Sequence, residues 1–79
     1  MAIQVYITTS CALVPPTLNI LDELGVDYVT LDVDAQDDAR ERLRELTGGF
    51  LSVPTLEFED GSVMIEPNLF KLRITLLHL

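Results

Sequence analysis

Alternating apolar residues near the start of the chain predict a first β-strand. Ile3, Val5 and Ile7 alternate with other side chains, and residues 3–8 are mostly β-branched or aromatic, which is typical of a half-buried strand. Residues 28–33 have a similar composition and predict a second strand. A right-handed crossover between them makes the two strands parallel.

Three segments with apolar residues at helical spacing predict three helices. The first runs from about residue 16 to residue 24, and Gly25 follows it as a C-cap. The second is predicted to be capped by Asp34 and to run through residue 46. The third starts near residue 67, takes Asn68 as its N-cap and continues to the end of the chain.

A proline-containing strand and a hairpin lie between the second and third helices. Residues 53–58 predict a third strand, and Asp60-Gly61 is a strong hairpin signal, so residues 62–65 should return antiparallel. The predicted order is β-α-β-α-β-β-α, an α/β fold with one four-stranded mixed sheet and three helices on its two faces. We expect residues 1–79 to form a single domain.

The charge balance excludes one class of function. Thirteen acidic residues against five basic ones give a formal net charge of −8, and such a chain repels nucleic acid. The first residues lack the pattern of a secretory signal, and no stretch approaches the roughly 20 apolar residues that span a bilayer. We therefore expect a soluble, cytoplasmic protein with no nucleic-acid or membrane partner.

The single cysteine, Cys11, follows the first predicted strand. Reactive groups gather at the carboxyl ends of strands in open α/β sheets, which makes Cys11 a candidate nucleophile. The alternative is that it is a small buried apolar residue. The single histidine, His78, is predicted to be a surface residue at the far end of the chain, and one cysteine with one histidine provides too few ligands for a metal site.

Several short segments, taken together, resemble the glutaredoxins, a family with the thioredoxin fold. The likeness is strongest to the short bacterial type that includes the mycoredoxins, and it covers almost the whole chain. The matching segments are 5–11 (VYITTSC), 21–28 (LDELGVDY), 47–49 (TGG), 53–55 (VPT), 58–62 (FEDGS) and 67–68 (PN). Each piece is weak, but their order and spacing are specific.

The resemblance implies a Cys-x-x-Cys active site in which Cys11 is the nucleophile and Val14 replaces the second cysteine. Because valine cannot attack a mixed disulfide, any catalysis must use one thiol. Monothiol glutaredoxins with Cys-Gly-Phe-Ser bind iron–sulfur clusters, but this motif is Cys-Ala-Leu-Val, and we expect no bound cofactor. Pro15 and Pro16 stand where relatives often carry a cation, and they should start the helix beyond Cys11.

The resemblance also implies three substrate-binding residues: Val53, Pro54 and Asn68. Pro54 would be a cis-proline opposite the cysteine, with the Val53 backbone available to a bound thiol peptide; the alternative is an edge-strand proline without a partner. The Gly-Gly-x-Asp segment that holds a glutathione carboxylate in many relatives is absent. Amides at the Asn68 cap could receive a carboxylate, although Glu66 beside them would repel it.

Two functions remain open. The first is a monothiol oxidoreductase that takes a protein mixed disulfide or a low-molecular-weight thiol, glutathione or mycothiol, as its co-substrate. The second is a redox-inactive binding module that uses the groove beside the cis-proline.

The last predicted helix has more apolar residues than one buried face needs. One stripe is Leu69, Leu72 and Leu76, the second is Phe70, Ile74 and Leu77, and Leu79 adds to the excess. Either the first helix covers the second stripe, which leaves a monomer, or the stripe is exposed and supports a weak homodimer.

Overall fold

The chain forms one four-stranded sheet with three helices in the computed structural model, which describes residues 2–78. Along the sequence the elements are β1 (Ile3–Ile7), α1 (Val14–Glu23), β2 (Tyr28–Asp32), α2 (Asp37–Thr47), β3 (Thr55–Glu57), β4 (Val63–Ile65) and α3 (Leu69–Leu77). The predicted order of strands and helices is confirmed. Across the sheet the strands run β2-β1-β3-β4, with β1 parallel to β2 and antiparallel to β3, and β3 antiparallel to β4.

The strand register gathers four chain segments at one end of the sheet. β1 and β2 are parallel and their last residues are paired, so both strands end there. Tyr6 near the end of β1 is opposite Thr55 at the start of β3, and Thr55 is opposite Ile65 at the end of β4. The segments that follow β1, follow β2, precede β3 and follow β4 therefore lie at the same edge. We call this edge the thiol end, because it includes Cys11.

Alternation along β1 divides the core into two layers, one on each face of the sheet. Val5 belongs to the layer against α1 and α3, whose buried members are Ile3, Val5, Ile20, Leu21, Leu56, Phe58, Leu72 and Leu76. Tyr6 belongs to the layer against α2, whose buried members are Tyr6, Val33, Ala39, Leu43 and Val53. Each fully buried leucine contributes about 1.5–3 kcal/mol of hydrophobic stabilisation. The prediction of three helices on two faces is confirmed.

The prediction that Asp34 caps the second helix is wrong. The helix begins at Asp37 with Gln36 at its N-cap position, and Asp34 lies in the turn before it. The Asp32 carboxylate accepts the Asp34 N–H at 2.9 Å, and the Asp32 carbonyl accepts the N–H of Gln36 at 2.9 Å. A side-chain bond to the backbone two residues on stabilises a turn in competition with a helix, and this delays the helix start.

The third strand is shorter than predicted. It begins at Thr55, so Val53 and Pro54 precede it. Proline has no N–H for a strand ladder, which accounts for the later start. Within the described residues, none of the helices has the length and apolar character needed to cross a membrane.

The two apolar stripes of α3 have different surroundings. Leu72 and Leu76 of the first stripe are buried against the sheet and α1, but Leu69 of that stripe is exposed. Phe70, Ile74 and Leu77 of the second stripe are exposed as well. The alternative in which α1 covers the second stripe is therefore wrong for these three residues. Leu79, which was predicted to extend the apolar excess, lies outside the described residues.

A polar chain links β1, β3 and α2. The Tyr6 hydroxyl donates to Glu57 at 2.9 Å, and Arg42 donates to the other oxygen of the same carboxylate at 2.6 Å. Burial, reinforced by the hydrogen bond to the Glu57 carboxylate, raises the pKa of Tyr6 to about 12. The Arg42 hydrogen bond lowers the pKa of Glu57 below its usual value.

The Tyr6 phenol should therefore ionise only at strongly alkaline pH. In a Tyr28→Phe variant, where Tyr6 is the only tyrosine, phenolate absorbance should rise with a midpoint at about 12, and Glu57→Gln should lower that midpoint. The pKa of Tyr6 is higher in the folded chain than in the unfolded chain. The protonated phenol therefore contributes its full stabilisation to the fold below about pH 10. That stabilisation is lost as the pH rises towards 12. Phenolate appearing near pH 10 while circular dichroism still reports the folded chain would contradict the assignment.

Glu66, between β4 and α3, has an unusual backbone. Its φ angle is 44°, the only positive value at a non-glycine residue among those described. Its N–H donates to the Pro54 carbonyl at 2.8 Å, so the left-handed turn ties the end of β4 to the loop before β3. A left-handed conformation costs a residue with a Cβ about 1–2 kcal/mol.

Replacement of Glu66 by glycine should relieve this cost. We expect Glu66→Gly to be about 1 kcal/mol more stable than Glu66→Ala, measured by urea unfolding. Both variants remove the same carboxylate, so the difference in their stabilities reports the cost of the left-handed backbone conformation. Equal stabilities would show that the turn relaxes when the side chain changes.

Candidate functional site

Cys11 lies in the loop between β1 and α1, at the thiol end of the sheet. It is partly exposed and packs against the core layer under α2. The helix begins three residues later, at Val14, so the prediction that Cys11 falls outside the first helical turn is confirmed. The helix itself starts slightly earlier than predicted. Proline is tolerated in a first turn because its missing N–H would have no partner there.

The start of α1 offers few backbone donors to a thiolate. Its first three residues are Val14, Pro15 and Pro16, and the prolines carry no N–H. The Val14 N–H points back to the carbonyl of Cys11, with a separation of 3.3 Å between nitrogen and oxygen. Helix starts normally stabilise thiolates through such amides. The two prolines therefore reduce that contribution here.

The cis-proline loop faces the thiol. The Val53–Pro54 peptide bond is cis, and the Cys11 Sγ lies 3.5 Å from the carbonyl oxygen of Val53, to which the thiol can donate. Pro54 is fully buried. The Thr55 hydroxyl donates to the Ser52 carbonyl at 2.7 Å, which holds the loop in place. The structure thus brings together three of the four predicted site residues.

Asn68 has a structural role at the start of α3. Its side-chain oxygen accepts the N–H of Phe70 at 2.9 Å and that of Lys71 at 3.3 Å, which confirms it as the N-cap. These are the backbone amides that were expected to bind a carboxylate of the substrate. Because Asn68 already satisfies them, its exposed NH₂ group is the part of the residue left for a ligand.

Exposed apolar side chains occur in the segments that form the thiol end, and sequence reasoning missed them. Leu13, two residues after the cysteine, is 52% exposed, and Leu51, two residues before Val53, is 45% exposed. Phe50 and Ile65 are also exposed. The run Phe50-Leu51 in a predicted loop was the available signal, since loops seldom expose two adjacent large apolar residues.

The segment that includes Cys11 is electrically neutral. No charged residue occurs before Asp22 in the sequence. Glu66, which is exposed, lies at this end of the sheet, and so does exposed Asp34, because β2 ends beside β1. Arg40, which donates to the backbone carbonyl just after β2, and Lys71, in the first turn of α3, add positive charge at this end. The neutral cysteine loop is therefore surrounded by charges of both signs.

The described residues contain no cluster of three or more His, Cys, Asp or Glu side chains arranged to hold a metal ion. An iron–sulfur cluster, which some monothiol relatives bind, is held by four cysteine thiolates. The chain supplies one. The residues present do not fit such a cluster within a single chain.

Comparisons with known proteins bear on the family and the fold of the chain. The family model described as Glutaredoxin matches residues 3–63, a range that includes both Cys11 and the cis-proline loop. No match was found among curated proteins. A crystal structure of a mutant of the thioredoxin-like protein BC3987 superimposes with a TM-score of 0.82 at 31% identity, covering 95% of this chain and 97% of that one. A second BC3987 structure gives 0.81 at 29% identity and covers 91% and 96%. The chain belongs to the glutaredoxin family and has the thioredoxin fold that the family shares.

Proposed function

We propose that this protein is a monothiol oxidoreductase that reduces mixed disulfides through Cys11. The observation that carries the proposal is the placement of a partly exposed thiol 3.5 Å from the carbonyl oxygen of Val53, beside a cis-proline. Family membership supports a glutaredoxin-like redox function in general. The absence of a second cysteine from the sequence supports the monothiol form.

The reaction takes place in two thiol–disulfide exchanges. In the first, the Cys11 thiolate attacks one sulfur of a mixed disulfide, R–S–S–R′. A Cys11–S–S–R bond forms, and R′–S⁻ leaves and takes up a proton. In the second, an external thiolate, R–S⁻, attacks the R sulfur of the adduct, which forms R–S–S–R and releases the Cys11 thiolate. The net reaction is R–S–S–R′ + R–SH → R–S–S–R + R′–SH, so one external thiol sulfur is oxidised to the disulfide level while the R′ sulfur is reduced to a thiol.

The residues beside the thiol have positioning roles in this proposal. The backbone of Val53 lies alongside the incoming disulfide, and buried Pro54 fixes that backbone. Asn68 offers its exposed NH₂ group at the same end of the sheet. Exposed Leu13 and Leu51 favour substrates that are apolar next to the disulfide, such as thiol adducts of proteins.

The neutral cysteine loop also bears on the external thiol. Glutathione carries two carboxylates, which Glu66 would repel. Mycothiol carries none, so it meets no such repulsion. We therefore propose mycothiol ahead of glutathione as the co-substrate, in keeping with the likeness to the mycoredoxin type.

A second candidate is a binding module that holds thiol-containing peptides without turning them over. Pro15 and Pro16 favour it, because they remove two amides that would otherwise support a thiolate. In this case the groove beside Pro54 binds its partner, and Cys11 is a bystander.

Cys11 reactivity distinguishes the two candidates. If Cys11 is catalytic, iodoacetamide should modify it faster than it modifies free glutathione at pH 7, because only the thiolate reacts. Reduction of bis(2-hydroxyethyl) disulfide should be lost in Cys11→Ser and retained in Ser10→Ala, the matched control. Turnover should be faster with mycothiol than with glutathione. Alkylation no faster than that of free glutathione, together with no turnover, would leave only the binding module.

A second cysteine at position 14 should restore a dithiol site. The hydrogen bond between the Val14 N–H and the Cys11 carbonyl closes a four-residue turn, which keeps the two Cα atoms within about 7 Å. This range overlaps the roughly 4.4–6.8 Å of disulfides. After mild oxidation with diamide, Val14→Cys should titrate no free thiol, whereas the control Leu13→Cys should keep two. Two free thiols in Val14→Cys would show that the side chains point apart.

A further inference from the structure

A large cavity lies away from the thiol, at the opposite end of the sheet. We call it the distal groove. It has a volume of about 670 Å³ and is lined by Ile3, Val26, Asp27, Phe58, Glu59, Asp60, Ser62, Ile74, Thr75 and His78. These residues come from the start of β1, the loop before β2, the β3–β4 hairpin and the end of α3. Cavities of this size are typical of ligand sites.

The floor of the distal groove is apolar. Ile3 and Phe58 continue the core layer beneath α1 and α3, and Val26 packs against the same layer. Ile74 closes one side and is 42% exposed. An apolar side chain placed here would therefore contact the protein core on one side and exposed helix on the other.

The rim is acidic. Asp27, Glu59 and Asp60 are all exposed, and none of them forms an ion pair among the described residues. The Ser62 hydroxyl donates to Asp60 at 2.6 Å and lowers the pKa of that carboxyl. His78 is the one lining residue that can be cationic.

The apolar surface extends beyond the groove along α3. Phe70, Ile74 and Leu77 share one exposed face, because they are spaced by four and three residues. From residue 70 to residue 77 this face is roughly 10 Å long at 1.5 Å per residue. Its length favours an extended or helical segment over a small molecule confined to the groove.

We propose that the distal groove binds a basic, apolar segment of a partner protein. An apolar side chain of the segment fills the floor between Phe58 and Ile74, and neighbouring Lys or Arg side chains pair with the rim carboxylates. Charge complementarity selects this occupant. A second copy of the chain, with a net charge of −8, would meet mutual repulsion.

The proposal is tested with two peptides of twelve residues, one built from Leu and Lys and the other with Glu in place of every Lys. In amide NMR spectra at pH 7.5, the Lys peptide should shift the signals of Ile3, Val26, Phe58 and Ile74. The Glu peptide should bind at least tenfold more weakly. Raising the salt from 0.05 to 0.5 M should weaken binding of the Lys peptide, since exposed charges are screened.

Charge variants separate local pairing from the overall charge. The double variant Asp27→Asn, Glu59→Gln should weaken binding of the Lys peptide about fivefold. The double variant Asp34→Asn, Asp38→Asn removes the same net charge elsewhere and should leave binding unchanged. The first pair lies at the opposite end of the sheet, and neither carboxylate of the second pair is hydrogen-bonded to Cys11, Val53 or Asn68. Both variants should therefore reduce disulfides as the parent does.

Three results would overturn the proposal. One is an equal loss of binding in both double variants, and another is a set of shifted signals centred on Cys11 and Pro54. The third concerns self-association, measured by sedimentation equilibrium. A homodimer that Ile74→Gln abolishes and the Lys peptide fails to dissociate would show that this face binds a second copy.

Discussion

The pairing of β1 with two neighbours at once is the constraint on which the other features depend. β1 forms a parallel ladder with β2 and an antiparallel ladder with β3, and its side chains alternate between the two faces. A slip of one residue would exchange Val5 and Tyr6 between the core layers and would break the bond from Tyr6 to Glu57. The same register sets Thr55 opposite Tyr6, and the loop that follows β1 therefore meets the loop that precedes β3. The contact between Cys11 and Val53 is a consequence of strand pairing.

Local patterns in the sequence predicted most of the fold. Alternation at Ile3, Val5 and Ile7 found the central strand, Asp60-Gly61 found the hairpin, and Asn68 was identified as a helix cap. The cap at Asp34 failed because Asp32, two residues earlier, uses its own carboxylate to form a turn. Aspartate side chains can cap a helix or form a turn with the nearby backbone. The sequence alone does not show which of these two structures forms.

The candidate site was predictable only as far as the family resemblance reached. Cys11 and Pro54 are 43 positions apart in the sequence, and nothing local in either segment indicates that they meet. The exposure of Leu13 and Leu51 depends on which loops pack against them. The distal groove combines four separate parts of the chain, and the chain of contacts from Tyr6 through Glu57 to Arg42 links three elements. These features depend on which elements the fold brings together. Residue propensities and hydrophobic periodicity report only on residues that are close in the sequence, so they do not predict such contacts.

The valine at position 14 affects the timing of the proposed chemistry. Its side chain is buried at 6% exposure, so a residue of the hydrophobic core occupies the position that the family resemblance assigns to a resolving cysteine. An adduct on Cys11 then has no unimolecular route of decay. Its lifetime is set by the concentration of incoming thiols and by their access to the sulfur. In a thiol-poor solution the protein would act as a carrier that holds its adduct, and in a thiol-rich one it would turn over as a reductase.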